Sequence, residues 1–273
     1  MKRIALIIFV VVLLLAASLA AVGCSMLYTY PNSDRYSIGG SSIDAASVGN
    51  LDLNWVSGNV QIRQGSGSSI VFYEQCKKEL KDKDKMCYWL DGNTLNIKFR
   101  ASGFLAFNSL SKEKILVVEI PANTDFSDVN ITTISAACSI NTSLTCDGLT
   151  VKSVSGDITL NNADVALLKI DSVSGTINAE DSCCNTVDVK TVSGDINLFL
   201  KNCPVSFKYD SVSGTAALYI PDNAGFSVAF KTISGVFNSN FATQIQNGNY
   251  IYGSGLYSFS IKTVSGDFTV TKI

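Results

Sequence analysis

The stretch Lys152–Asp195, KSVSGDITLNNADVALLKIDSVSGTINAEDSCCNTVDVKTVSGD, carries one phrase, Val-Ser-Gly, three times at a constant step. The phrase continues to the C-terminus, so that its glycines fall at Gly156, Gly175, Gly194, Gly214, Gly235 and Gly266, with steps of 19, 19, 20, 21 and 31. Two looser copies lie upstream, WVSGN with Gly58 and TISAA over Thr133–Ala137. A fixed period near twenty marks a solenoid, each repeat being one rung that buries its apolar side only against its neighbours. A rung this short holds brief strands and corners and leaves no room for a helix. The spacing therefore predicts an all-β stack of short-strand repeats, β-solenoid-like, over 43–273, with irregular rungs over 43–123 and regular ones over 124–273. The step of 31 predicts an insertion at 238–257.

Within a rung, an apolar residue precedes each Val-Ser-Gly and another follows seven positions later: Val151/Ile158, Ile170/Ile177, Val189/Ile196 and Ile261/Phe268. Seven is an odd step, which in one unbroken strand would put the two on opposite faces. Both face one core only if the chain turns between them, so the corners fall at the Ser-Gly pairs, and Gly58, Gly156, Gly175, Gly194, Gly214, Gly235 and Gly266 are corner residues. Two positions before each Val or Ile, the chain reads Lys152, Asp171, Lys190, Asp210, Lys231, alternating in sign. Neighbouring strands lie about 4.8 Å apart, so alternation favours parallel, in-register stacking, where like charges in a column would repel.

The chain opens MKRIALIIFVVVLLLAASLAAVGC, two cations followed by an apolar run. Residues 1–23 read as a secretory signal peptide or an N-terminal membrane anchor. Ala21-Val22-Gly23-Cys24 is similar to a bacterial lipobox, in which Cys24 would be lipidated, although Ala21 stands where leucine is usual. Lipid anchor or uncleaved single-pass anchor, both place the rest of the chain on the outer face of the membrane. Residues 24–42 form a tether rich in turn residues. Beyond it, Asp91-Gly92 marks a hairpin, and KKELKDKDK, bracketed by Cys76 and Cys87, reads as a solvated hairpin tip. The tyrosine-rich insertion offers Tyr250, Tyr252 and Tyr257, either as a cover for the end of the core or as a ligand surface.

The formal net charge is −2, falling to −4 without Lys2 and Arg3, and no basic patch appears. Nucleic acid is accordingly not an expected partner. The chain has no histidine, which removes Ser-His-Asp and Cys-His nucleophile arrangements and histidine-bearing zinc sites. No Gly-rich phosphate loop is present, and no cofactor is implied.

The order WVSGN, hairpin, KILVVEIP, then repeated (K/D)(S/T)VSG(D/T), closing on NGNYIYGSG and SIKTVSGDFTV, resembles the bacterial β-strand-repeat, adhesin-like domain nicknamed the toastrack. The resemblance covers roughly Tyr36 to the C-terminus. It implies a stack of strands tethered outside the cell membrane, with links to adhesion and envelope-stress signalling and no enzymatic site.

Two constellations could carry chemistry. Seven cysteines lie beyond Cys24. In an exported chain they suggest disulfides. Cys76–Cys87 would close the charged loop, and Cys184 with Cys203, each nine residues after its glycine, would bridge adjacent rungs, Cys183 being the other candidate. Cys183, Cys184 and Cys203 also raise a thiolate metal site, at a spacing that fits no common pattern. Asp157 and Asp195 share a column two rungs apart, about 9.6 Å, near the upper limit for a carboxylate pair in an inverting glycosidase, ~9.5 Å. The expectation is a non-catalytic binding, adhesion-like or stress-sensing scaffold. It would meet the cytoplasmic membrane through its N-terminus and a cell-wall polymer, an envelope-active peptide or a membrane protein through its faces. A polysaccharide-active enzyme using Asp157 and Asp195 is the alternative.

Overall fold

The computed structural model describes residues 27–104 and 114–273. The regular rungs stack parallel and in register. Cys138–Ile140 lies on Ile158–Leu160, then come Ile177–Ala179, Ile196–Leu198 and Ala216–Leu218. Before the corner, Val151, Ile170, Val189, Tyr209 and Ile261 form one column. All are buried, so both members of the seven-residue pairs face one core. Strands end at Ser153, Ser172 and Thr191 and resume at Ile158, Ile177 and Ile196, which places the corner at the Ser-Gly pair as the odd step requires.

Inside one rung Ile158, Leu160, Ala163, Val165, Leu168 and Ile170 are all buried. The alternation slips at Asn162, whose φ is 60°, and again between Val165 and Leu168. Each slip is a bend, because a straight strand keeps strict two-residue alternation. With the corner, these bends wrap the rung around its core.

The charge column is built as expected at first: Lys152 lies beside Asp171, Asp171 beside Lys190, and Lys190 beside Asp210. The neighbour of Asp210 is then Lys262, and Lys231 lies beyond it. The C-terminal rung thus sits between the 211–215 and 232–236 corners. The stacking order of these two rungs is therefore the reverse of their sequence order, and 238–257 is not a simple insertion between successive rungs. Asp157 accepts from the Thr176 N–H at 2.8 Å, Asp195 from the Thr215 N–H at 2.8 Å, and Asp267 from the Val236 N–H at 2.8 Å. Each of these Asp residues holds the next rung outward, while the SVSGT corners, with Thr176 and Thr215 in that place, carry their outer neighbours without one.

Corners alternate in geometry as well as charge. In the lysine rungs the Gly156 and Gly194 N–H groups donate to the Ser153 and Thr191 hydroxyls three residues back. In the aspartate rungs Ser172 and Ser211 instead donate to the Ser174 and Ser213 carbonyls, and Gly175 and Gly214 have φ near +110°. The repeating unit is therefore two rungs.

At the N-terminal end, Asn50–Trp55 and Gly58–Gln64 form the first complete corner, lying beneath Asp128–Thr133 and Ala137–Asn141. Antiparallel strands wrap it: Ser69–Cys76 pairs with Lys114–Ile120, and Cys87–Asp91 with Thr94–Lys98. At the other end the hairpin Gln244–Gln246/Asn249–Gly253 turns through Asn247-Gly248 and pairs antiparallel with Gly225–Val228. Aromatic rings replace aliphatic side chains in the core there, with Phe207, Phe226, Phe259 and Phe268 in mutual contact. Among the described residues no helix is long and apolar enough to cross a membrane.

Candidate functional site

The aspartate column is occupied by its own backbone. Asp195 holds both the amide and the hydroxyl of Thr215, at 2.8 and 3.0 Å, and Asp157 holds the Thr176 amide. These carboxylates do for the corners what a turn aspartate does elsewhere, satisfying N–H groups that the bend leaves open. A third member, Asp267, does the same.

All seven described cysteines are free, so the expected Cys76–Cys87 and Cys184–Cys203 bridges are not formed. Counting nine from each glycine fails at the bulge between Ala179 and Ser182, which shifts the register. Asn202 consequently reaches Cys184, its side chain bonded to both the Cys184 N–H and the Cys184 carbonyl at 3.0 Å. Cys138 is plain core, and burial pushes its thiol up to about 12. Among the described residues no group of three or more Cys, Asp and Glu is placed to hold a metal. Cys24 and residues 1–23, expected from the sequence to be a signal peptide or anchor, lie outside the described residues.

The charged run after Cys76 does not end as a free tip. Asp84 is buried and its carboxylate lies 3.6 Å from Arg100, while its carbonyl accepts from Lys114 Nζ at 2.8 Å. Lys114 is itself buried, 2.6 Å from Glu74 and over the Trp55 and Phe99 rings. Desolvation lowers its pKa against the pull of the Glu74 carboxylate. This cluster plugs the N-terminal end of the core. Tyr28, next to the point where the described chain begins, accepts from the Phe99 N–H there.

The opposite end is only half covered. Tyr250 and Tyr252 lie opposite Val228 and Phe226 on the hairpin, Tyr250 with its ring 4.4 Å from Phe237 and Tyr252 4.7 Å from Phe241. Tyr257 pairs beside Phe226 within the intercalated rung. The Tyr252 hydroxyl donates to Asp222 at 2.7 Å, and Asp222, bonded also to Lys272, is held below the usual carboxylate range by Lys272 first and by Tyr252 second. All three tyrosines are half-buried and pack on the core. Beside them is an open hollow of about 650 Å³ lined by Phe230, Lys231, Ile233, Val236, Phe237 and Tyr250. Ile233 and Val236 are 49% and 57% exposed. Sequence reasoning passed over these TISGV residues.

The Toastrack DUF4097 family matches residues 48–203 and again 184–271. No curated protein matches the chain. Among solved structures, a putative cell adhesion protein from Clostridium sporogenes is 16% identical, with 87% of this chain and 100% of that chain covered and a TM-score of 0.35. A putative adhesin from Parabacteroides distasonis is 12% identical, covering 87% and 97%, with a TM-score of 0.41. A putative lipid binding protein from the same organism is also 12% identical, covering 86% and 96%, with a TM-score of 0.41.

Proposed function

The chain belongs to the Toastrack family, and on that premise we propose that it is a non-catalytic recognition module of adhesion or envelope-sensing type, tethered by its N-terminus to the outer face of the cell membrane. The observation that carries the reading is the polarity of the stack. The described chain enters at the plugged end, and eight corners later the stack finishes in a half-covered apolar end, about 34 Å away at ~4.8 Å per step. A tether at one end and an apolar surface at the other suit a module that presents its far end to something beyond the membrane. The lipid or single-pass anchor and the cell-wall polymer, envelope peptide or membrane protein as ligand classes belong to the same proposal.

Two measurements test it. Metabolic labelling with palmitate should mark the wild type and fail in Cys24→Ala; equal labelling of both removes the lipid anchor from the reading. A panel of cell-wall glycans and cationic envelope-active peptides should include a saturable ligand that is recovered unchanged. Release of glycan fragments, abolished by Asp157→Asn or Asp195→Asn, would make the aspartate column catalytic and overturn the proposal.

A further inference from the structure

We infer that the half-covered end is a strand-addition site, at which an extended acidic segment of a partner protein docks as one more rung with its carboxylate against Lys231. The inference rests on the recognition reading and names the chemistry of its partner.

Four observations converge on it. First, the edge is open. Gly225–Val228 is paired on its outer side by the hairpin, whereas residues 229–231 and Phe237–Ser239 are paired only inward, with Ser260–Lys262 and Phe268–Val270. Main-chain groups on such an edge are the usual basis for binding by strand addition. Second, the surface beside that edge is apolar, with Phe230, Ile233, Val236 and Phe237 around the hollow.

Third, the charge column stops out of phase. It runs Lys152, Asp171, Lys190, Asp210, Lys262, Lys231, and the final step is its only like-charged one. Lys231 is exposed and forms no ion pair among the described residues. One position further out, the alternation calls for a carboxylate. Fourth, the corner selects its neighbour. A Cβ on Gly266 would lie 2.1 Å from the Gly214 carbonyl oxygen, and one on Gly235 would lie 2.1 Å from that of Gly266. By the same geometry the Gly235 carbonyl faces the incoming corner, where glycine, the residue at the neighbouring corners, fits best. Asp171 and Gly175, like Asp210 and Gly214, show the spacing this demands, an acid four residues before a glycine.

A second copy of the chain fits less well. End-to-end contact sets one lysine pair against another, and among the described residues the outermost strands of the N-terminal end, Ser37–Ile38 and Ser41–Asp44, run antiparallel to their neighbours and so do not continue the parallel stack. An acidic strand from a different protein satisfies edge, hollow, charge and corner together.

The test uses the full chain in detergent and a fluorescein-labelled peptide of residues 206–220, SFKYDSVSGTAALYI, whose own place is on the outer side of the Lys190 rung. Fluorescence anisotropy should show saturable binding that weakens as salt rises from about 0.05 to 0.5 M. Replacing Asp210 by lysine in the peptide should weaken binding about five- to tenfold, as should Gly214→Val. In the protein, Lys231→Glu should invert the preference between the aspartate and lysine peptides. Equal binding of the two peptides, binding indifferent to Lys231→Glu, or no binding at roughly 1 mM peptide each overturns the inference. So does self-association of the free protein that Lys231→Glu abolishes, since the occupant is then a second copy. A glycan or cationic peptide bound by a chain that ignores the 206–220 peptide leaves the recognition reading standing and removes only the strand-addition site.

Discussion

Replacing Gly156 by alanine tests whether the corner glycines serve close stacking or only backbone conformation. Gly156 has no left-handed φ, so alanine suits its backbone. The added Cβ, however, would lie 1.9 Å from the Ala136 carbonyl oxygen and 2.5 Å from its carbon, where ordinary contact begins at 3.4 Å. The rungs must part locally by about 1.5 Å, which opens the flanking bonds Ser155 N–H to Ile134 O at 2.9 Å and Cys138 N–H to Asp157 O at 2.8 Å. Two backbone bonds at about 1 kcal/mol net each and overpacking of about 1–3 kcal/mol give a loss of about 3–5 kcal/mol. Gly67→Ala is the control: its φ is +84°, and no atom lies within 4 Å of the added Cβ. Left-handed strain alone costs it about 1–2 kcal/mol. Urea unfolding followed by circular dichroism compares the two. If Gly156→Ala costs no more than Gly67→Ala, the rungs yield readily and the stacking argument fails.

Asp195→Asn keeps an acceptor for the Thr215 N–H and should leave thermal unfolding within about 0.5 kcal/mol, whereas Asp195→Ala orphans that N–H and should cost about 1 kcal/mol; equal melts for the two variants would contradict the corner role. Cys138, with its pKa raised by burial to about 12, contributes stability that is complete below the unfolded thiol's pKa, about 8.5, and is lost as pH climbs toward the folded value. Between pH 8 and pH 10.5 the wild type should thus lose about 2–3 kcal/mol that Cys138→Ala retains, read from urea midpoints at the two pH values. An identical loss in both would show that this thiol does not control the alkaline limb. Asp171→Lys lines up three lysines with Lys152 and Lys190 and should destabilise by about 1–3 kcal/mol, partly recovered in high salt; a salt-independent effect would mean that packing, not the column, is at stake.

Much of this architecture was legible because parallel stacking writes itself into the chain as periodic columns. The steps of 19 to 21 residues, the buried pairs seven apart and the alternation from Lys152 to Asp210 all follow from one geometric fact, that each rung repeats its predecessor one strand spacing away. What escaped was whatever two rungs could do equally well. KTISG and KTVSG both offer a lysine to Asp210, so charge alone left their order open. The Cys184–Cys203 pairing failed for a local reason, a bulge that breaks the count from the glycine. Nothing in KKELKDKDK announced that Asp84 would be buried, because its partner Arg100 lies sixteen residues on and shares no period with it.

The interleaved C-terminus bears on how the chain reaches this state. Rungs through Ile220 can be laid down in order of synthesis, each on a finished neighbour. The 225–239 segment precedes in the chain the rung on which it rests, Tyr257–Lys272. Gly225–Lys231 and Phe237–Ser239 therefore have their parallel neighbour only once Tyr257–Lys262 and Phe268–Lys272 lie between them and the Ser206–Ser211 rung. The aromatic core at this end and the outer edge thus depend on the same strand, Tyr257–Lys262, whose removal would open both.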